Sequence, residues 1–433
     1  MKLLIKDILA VKPDSQGRPY SEICTICIQG SKIISAEGVP EGFSADETID
    51  GRGRLITPGM VNSHSHAYMT MLRNRADDTD FDTWLFKKIM PAEDRLTPED
   101  AYWSAMLGCA EMLTFGITCF LDMHMFPDIT VKAALDCGMR AVISRGLSGG
   151  VSDAAGGKRR LKEALDEYCR WKDTAPEQIK FMLAPHAITT CDEGYMREIA
   201  AAARDLNLGI HTHMSEGRNE ASLCIEKYGC TPAQLYERTG LLSCKAVAAH
   251  CIHLTDADID ILSRHQVSVS LNPASNLKLA NGIAPVPAML SKGINCCLGT
   301  DSTASNNSLS ILREMSLTSL IHKGISADPC GVTAGDTFKM ATVNGARALG
   351  FEGICGEIKP GMQADLAIFD ISTPELTPLS DPISALSYAN SGMKAETVIS
   401  AGKIIMHKGE FKTLDIDRIV SEVNQRAERN NKE

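Results

Sequence analysis

A chain of 433 residues is longer than one hydrophobic core usually supports, so a large domain with a smaller companion is expected. Its 44% apolar and 23% charged content is ordinary for a folded enzyme, and a formal net charge of −10 speaks against nucleic acid or an anionic membrane as partner. No run reaches the ~18 apolar residues that a membrane-crossing helix needs.

Met1–Ala10 carries neither the apolar core nor the cleavage site of a secretory leader. The fifteen cysteines are odd in number and lack the spacing of a disulfide framework, which fits reduced thiols in a cytoplasm. Residues 1–57 read as short strands at Lys2–Val11, Glu22–Gly30 and Lys32–Ala36. Cys24 and Cys27 fall within the second of these, and with no second cysteine pair they are expected to be buried and inert.

From Ile56 onward strand and helix patterns alternate. Eight apolar, β-rich runs recur at Ile56–Val61, Ile117–Asp122, Arg140–Ser144, Lys180–Ala184, Leu208–His211, Ala246–Ala249, Val267–Leu271 and Ile294–Leu298. Helical stretches such as Pro98–Leu113, Lys158–Lys172, Glu193–Asp205, Thr231–Thr239 and Asp256–Ser263 separate them. Eight such units favour a (β/α)8 TIM barrel over an open sheet, and no dinucleotide or nucleotide-triphosphate glycine motif follows a strand. Helices are then expected over Leu309–Lys323 and Ala334–Leu349.

Strand-like pieces return at Gly356–Ile358, Ala364–Asp370, Ala395–Ile399 and Lys403–Lys408, before a closing amphipathic helix over Asp415–Asn430. The expected organisation is a barrel over residues 58–350. Residues 1–57 and 351–433 together form a small β-sandwich, since chain termini often meet in space.

A barrel carries its chemistry at the C-terminal ends of its strands. Those ends hold His64 and His66, His186, His213 with Glu216, His250, and Asp301. The i, i+2 spacing sends His64 and His66 to one face of a strand. Of eleven histidines, five converge in this way, which points to a site for one divalent metal ion. A bridged two-metal site would need an anionic ligand such as a modified lysine at the end of the fourth strand. There His186 stands instead, with Lys180 at the other end.

His211 and His213 compete for the fifth strand, and His213 is preferred because His211 lies one pleat deeper. His124 closes the second strand and is a candidate for the cavity wall. His253, His265, His322 and His407 lie away from the strand ends.

Taken together these segments resemble the amidohydrolase superfamily, specifically its deaminases of S-adenosylhomocysteine and 5′-methylthioadenosine. The likeness runs through Pro58-Gly-Met-Val-Asn-Ser-His-Ser-His66, Trp84, Pro91-Ala-Glu93, Ser144-Arg-Gly146, Pro185-His186 and His213-Met-Ser-Glu216. It continues in Ala249-His-Cys-Ile-His253, Asn272-Pro-Ala-Ser-Asn-Leu-Lys-Leu279, Leu298-Gly-Thr-Asp301 and Ala304-Ser-Asn-Asn307, and covers nearly the whole chain.

The resemblance implies a metal held by His64, His66, His213 and Asp301, Zn²⁺ ahead of Fe²⁺, that activates a water. It implies that Asp301 and His250 orient the hydroxide and take its proton, while Glu216 protonates purine N1 during attack at C6. Trp84, Glu93, Arg145, Arg160, His186 and Ser305 are the implied substrate contacts. Glu93 would take the ribose hydroxyls and the two arginines a homocysteinyl carboxylate, with Arg159 a competitor of Arg160. The connection from Ala67 to Leu96 is long enough to be a lid.

The expected partner is therefore a small-molecule nucleoside, and a homo-oligomer is expected by analogy. The alternative within the superfamily is a free base or aminated ring: guanine, a pterin or a chlorinated triazine.

Overall fold

The computed structural model describes residues 1–432. Eight parallel strands follow one another round the barrel in chain order: Met60–Ser65, Ile117–His124, Arg140–Leu147, Ile179–Pro185, Gly209–Met214, Ala246–His250, Ser268–Leu271 and Asn295–Leu298. They are called strands one to eight below. The connecting helices begin with signals that the sequence carries openly. Thr97 with Asp100, Thr231 with Gln234, Thr255 with Asp258 and Thr333 with Asp336 all form reciprocal capping boxes. Each such cap stabilises its helix by about 1 kcal/mol.

Strands one and eight meet at a seam sealed by side chains. Their backbones touch at a single bridge, Ser65 to Asp301, with the Thr300 and Asp301 amides donating to the His64 carbonyl at 3.1 and 3.0 Å. Asn62 and Thr300 clamp the seam reciprocally: Nδ2 donates to the Thr300 hydroxyl at 2.7 Å and Oδ1 accepts from the Thr300 amide at 3.0 Å. Ser63 donates to the Leu298 carbonyl at 2.7 Å. Gly299 has to be glycine, because a Cβ there would lie 2.5 Å from Asn272 Oδ1 and 2.8 Å from His64 Cβ. Closing the barrel thus also delivers Asp301 to the histidines.

The single strand expected at Ile56–Val61 is two strands. Arg54–Pro58 belongs to a second sheet and Met60–Ser65 to the barrel. Gly59 marks the division, packed so tightly that a Cβ would meet Thr118 Oγ1 at 2.1 Å. The second sheet has nine strands drawn from both ends of the chain. In it Leu366–Asp370 pairs antiparallel with Arg54–Pro58, which lies parallel beside Lys2–Pro13. It has its own apolar cluster, in which Leu3, Ile5, Ile26, Ile56 and Leu366 are fully buried.

Two local expectations differ from the structure, and one strand is additional. Gly356–Ile358 is irregular, because Gly356 takes a φ of +93° against the helix Val343–Ala348. The helix expected over Ala334–Leu349 breaks at Thr342 into Ala334–Met340 and Val343–Ala348. The short strand Glu47–Asp50, which no pattern announced, adds to Lys2–Pro13. All fifteen cysteines are free, with Cys24 and Cys27 buried. Among the described residues no helix is long and apolar enough to cross a membrane.

Candidate metal centre and active site

Six groups converge at the C-terminal mouth of the barrel. His64 and His66 approach Asp301 Oδ1 with Nε2 at 3.5 and 3.4 Å, and His250 Nε2 lies 3.7 Å from Glu216 Oε2. The His213 ring centroid is 4.9 Å from that of His64 and 5.5 Å from that of His250. Within 4.8 Å of one another stand three overlapping ligand sets: His64, His213 and His250; His64, His66 and Asp301; Glu216, His250 and Asp301.

The hydrogen bonds behind these rings fix which nitrogen faces the cavity. His66 Nδ1 lies 2.8 Å from the Met123 carbonyl, and His213 Nδ1 lies 2.8 Å from the His186 carbonyl. Carbonyls only accept, so each Nδ1 carries the proton and each Nε2 presents a lone pair. His250 is fixed in the same way by Asn276 Oδ1 at 2.7 Å.

His64 is fixed at one remove. The Ser144 hydroxyl must donate to the Asp122 carbonyl, 2.8 Å away, so it accepts from His211 Nδ1 at 2.8 Å. His211 Nε2 is then bare and accepts from His64 Nδ1 at 2.8 Å. All four imidazoles consequently aim acceptors inward.

Those acceptors fit a cation. His64 Nε2 and His250 Nε2 are buried without a hydrogen-bond partner, an arrangement costing about 1–3 kcal/mol per group unless something else satisfies it. Burial pushes the imidazoles of His64, His213 and His250 down and that of His66 to about 4, which keeps them neutral, as ligands must be. The Asp301 carboxylate is buried among these rings. Ser275 and Ser305 donate to its Oδ2 at 2.6 and 2.8 Å, and the Ser302 amide to its Oδ1 at 2.7 Å. Three neutral nitrogens and one carboxylate are a borderline-soft donor set suited to a divalent ion.

The residues that end the strands are held in backbone conformations no sequence pattern reveals. Ser215, His250 and Asp301 have φ of +51°, +73° and +59°, each costing about 1–3 kcal/mol for a residue with a side chain. Strain concentrated in this way belongs to a site whose geometry is fixed by the surrounding packing.

The model of the amidohydrolase family matches residues 55–405. A 5-methylthioadenosine/S-adenosylhomocysteine deaminase from Caldanaerobacter subterraneus subsp. tengcongensis is 42% identical over 430 residues, covering 99% of this chain and 98% of the relative. A 5′-deoxyadenosine deaminase from Methanosarcina mazei is 41% identical over 428 residues, 98% of each. The crystal structure of an adenosine deaminase from Xanthomonas campestris with bound zinc superposes with a TM-score of 0.92 at 29% identity, covering 100% of this chain and 99% of the other.

The chain belongs to the amidohydrolase family.

The remaining cavity wall of this amidohydrolase comes from the long connection after strand one. Tyr68, Met69, Phe81, Trp84, Leu85, Ile89, Met90 and Glu93 all line it. Trp84 is pinned by its indole N–H, which donates to the Ala304 carbonyl at 3.2 Å and ties the segment to the loop after strand eight. Glu93 accepts from the Tyr68 hydroxyl, and burial pushes it up to about 7. His186 lines the wall with its Nδ1 3.1 Å from Thr190 Oγ1. Phe81, Leu85, His186 and Glu216 also border a wider cleft of about 1160 Å³.

Four sequence expectations change here. Ser305 does not line the cavity: the turn after Asp301 folds it inward, where its hydroxyl holds Asp301 and Ser302 is the residue that faces the ligand space. Arg145 and Arg160 stand outside the lining and are engaged by protein carboxylates, Glu163 at 3.0 Å and Asp153 at 2.7 Å. Arg159 is exposed on the helix surface. His124 faces away from the ligand space and lies 3.1 Å from Glu167, because strand alternation gives the inward position to Met123.

Several supporting residues escaped the sequence reading. Tyr68, Met123 and Met125 carry no motif. Ser275 and Asn276 lie in the quoted Asn-Pro-Ala-Ser-Asn segment, where a polar run just past a strand end was the available signal.

His211 yields a direct expectation. His211→Phe removes the acceptor that fixes the His64 tautomer, and divalent-metal affinity should fall roughly 10- to 100-fold, as measured by chelator competition on folded protein. Unchanged affinity would reduce His211 to packing.

Proposed function

We propose that this amidohydrolase is a hydrolytic deaminase of adenosine-type nucleosides, replacing the 6-amino group by oxygen and releasing ammonia. The observation that carries the reading is the convergence of Glu216, His250 and Asp301 with His64, His66 and His213 at one end of one cavity. His64, His66, His213 and Asp301 would hold the ion, with Zn²⁺ favoured over Fe²⁺. When bound there, a divalent ion supplies the nucleophile by lowering the pKa of water to about 7.

The protein groups divide the proton work. Asp301 and His250 orient the attacking water and accept its proton as oxygen bonds to C6; both have an acceptor atom turned inward. Glu216, pushed up to about 8 by burial, is protonated at neutral pH and donates to N1, so charge does not build on the ring. The proton accepted from water then passes to the departing amine, the C6–N bond breaks and ammonia leaves, while the proton of the new C6 hydroxyl returns to the Glu216 carboxylate as the carbonyl forms. Asn281 Nδ2, 3.4 Å from Glu216 Oε1, steadies the acid.

Glu93 lines the cavity, and its two carboxylate oxygens would match the two ribose hydroxyls. His186 and Trp84 also line the cavity, where the first would border the sugar and the second would pack against it.

Ammonia release from adenosine, 5′-methylthioadenosine, 5′-deoxyadenosine, S-adenosylhomocysteine, guanine and melamine, measured side by side, tests this reading. Turnover of the nucleosides with little on the free rings is expected. Activity confined to guanine or melamine would sink it.

A further inference from the structure

Glu216 is held loosely by its own side chain. Its carboxylate reaches the Asn281 carboxamide at 3.4 Å and His250 Nε2 at 3.7 Å, both long for a group that has to aim a proton at one ring atom. Its position therefore rests on the backbone that carries it. Ser215, the residue before it, has a φ of +51°. The Ser215 hydroxyl is buried without a hydrogen-bond partner among the described residues, so this side chain does not secure the turn.

The peptide group joining Ser215 to Glu216 is gripped on both edges. Its carbonyl accepts from the amides of Ile252 and His253 at 3.0 and 3.1 Å, in the segment that follows strand six. Its N–H donates to Glu220 Oε2 at 2.7 Å, and the Ser215 N–H donates to Glu220 Oε1 at 3.1 Å. Successive N–H groups beside a left-handed residue form a small concavity that binds anions, and here the chain fills it with its own carboxylate. Glu220 opens the helix Glu220–Tyr228, yet its side chain reaches back out of that helix to the turn before it. Its own amide donates to the Gly217 carbonyl at 3.1 Å, which closes the loop. Glu220 is 6% exposed, so water does not stand in for a bond that is lost.

Resting on the assignment of Glu216 as the acid, we propose that Glu220 is a positioning residue for deamination: its carboxylate clasps the two amides that aim Glu216 at the ring nitrogen. Both oxygens are used, and neither close substitute reproduces them. Glutamine offers one acceptor oxygen and turns an NH2 group towards the second amide, while aspartate is one carbon short of spanning both. Displacing a reacting group by about 1 Å costs on the order of 10²-fold in rate. Glu220 stands outside the cavity lining, so the loss falls on kcat and leaves KM alone.

The test is a double-mutant cycle on the zinc-loaded enzyme with 5′-methylthioadenosine. Glu220→Gln should lower kcat by roughly tenfold to a hundredfold, with KM and metal content close to wild type. In the Glu216→Gln background there is no acid to aim, and adding Glu220→Gln should change kcat by less than about threefold. A merely structural role costs the same factor in both backgrounds. Equal losses overturn the proposal, and so does a loss confined to KM or metal content. Glu220→Asp keeps the charge without the reach and should also lose turnover; full activity there would assign the effect to charge and overturn the clasp.

Ser215→Gly suits the positive φ and supplies a second background for the same cycle if Glu220→Gln alone does not fold. Failure to fold in both backgrounds would make Glu220 a residue of the fold only, and the proposal falls. If the wild type deaminates no nucleoside, or Glu216→Gln is fully active, the reading of the site fails and takes this inference with it. If Glu216→Gln is impaired but the two losses multiply, only the role of Glu220 fails.

Discussion

Glu216→Gln should retain the metal and lose turnover by about 10²–10⁴-fold, the range that a positioned general acid contributes. The amide keeps the shape of the side chain and its contact with Asn281, 3.4 Å away. It has no acidic proton to give N1. The effect should therefore fall on kcat with metal content unchanged, a pattern that loss of a ligand cannot produce.

The protonated state of Glu216 is a property of its surroundings. Burial is the largest influence, with the negative charges of Asp301 and Glu220 adding to it and His213 opposing. The backbone that presents Glu216 is held from below: the amides of Ser215 and Glu216 donate to the two oxygens of Glu220 at 3.1 and 2.7 Å. Full activity in Glu216→Gln, with metal content by elemental analysis equal to wild type, would remove Glu216 from the mechanism.

The parts of this architecture that were legible in the sequence are those set by local rules. Eight apolar runs with helical stretches between them gave the barrel, because both patterns depend on neighbours in the chain. His64, His66, His213, His250 and Asp301 were legible as a convergent set once the strands were placed, since a barrel brings all strand ends to one mouth.

The features that stayed hidden depend on contacts far apart in sequence. Ser305 reads as a residue near the base. It becomes a support for Asp301 only when the turn at the end of the barrel is seen. Arg145 and Arg160 read as free cations, but Glu163 neutralises the first across a helix-to-strand contact and Asp153 the second at the start of its own helix. The split at Gly59 was hidden for the same reason: Thr118 lies about sixty residues away in sequence, and it is what leaves no room for a side chain. The relay from Asp122 through Ser144 and His211 to His64 joins four separate segments.

The second large effect is expected at Asp301. Its Oδ1 faces His64 and His66 at 3.5 and 3.4 Å, and it is the anionic member of a ligand set otherwise made of neutral imidazoles. Asp301→Asn deletes that charge with little change of shape. The backbone seam should survive, because Asp301 donates its amide to the His64 carbonyl at 3.0 Å and this bond is indifferent to the side chain. The hydroxyls of Ser275 and Ser305 can rotate to accept from an amide nitrogen where they now donate to a carboxylate.

The fold is thus expected to remain while the cation loses the group that neutralises it, and the attacking water loses its proton acceptor. Metal affinity should drop on the order of a hundredfold or more, exceeding the loss from a supporting residue such as His211. Turnover should fall below that of Glu216→Gln even when excess metal is supplied, since two functions go with one carboxylate. Elemental analysis after dialysis, circular dichroism and single-turnover rates under saturating Zn²⁺ separate these effects. A folded Asp301→Asn protein that keeps stoichiometric metal and near-normal turnover would show that the chemistry of this cavity does not run through the seam between strands one and eight.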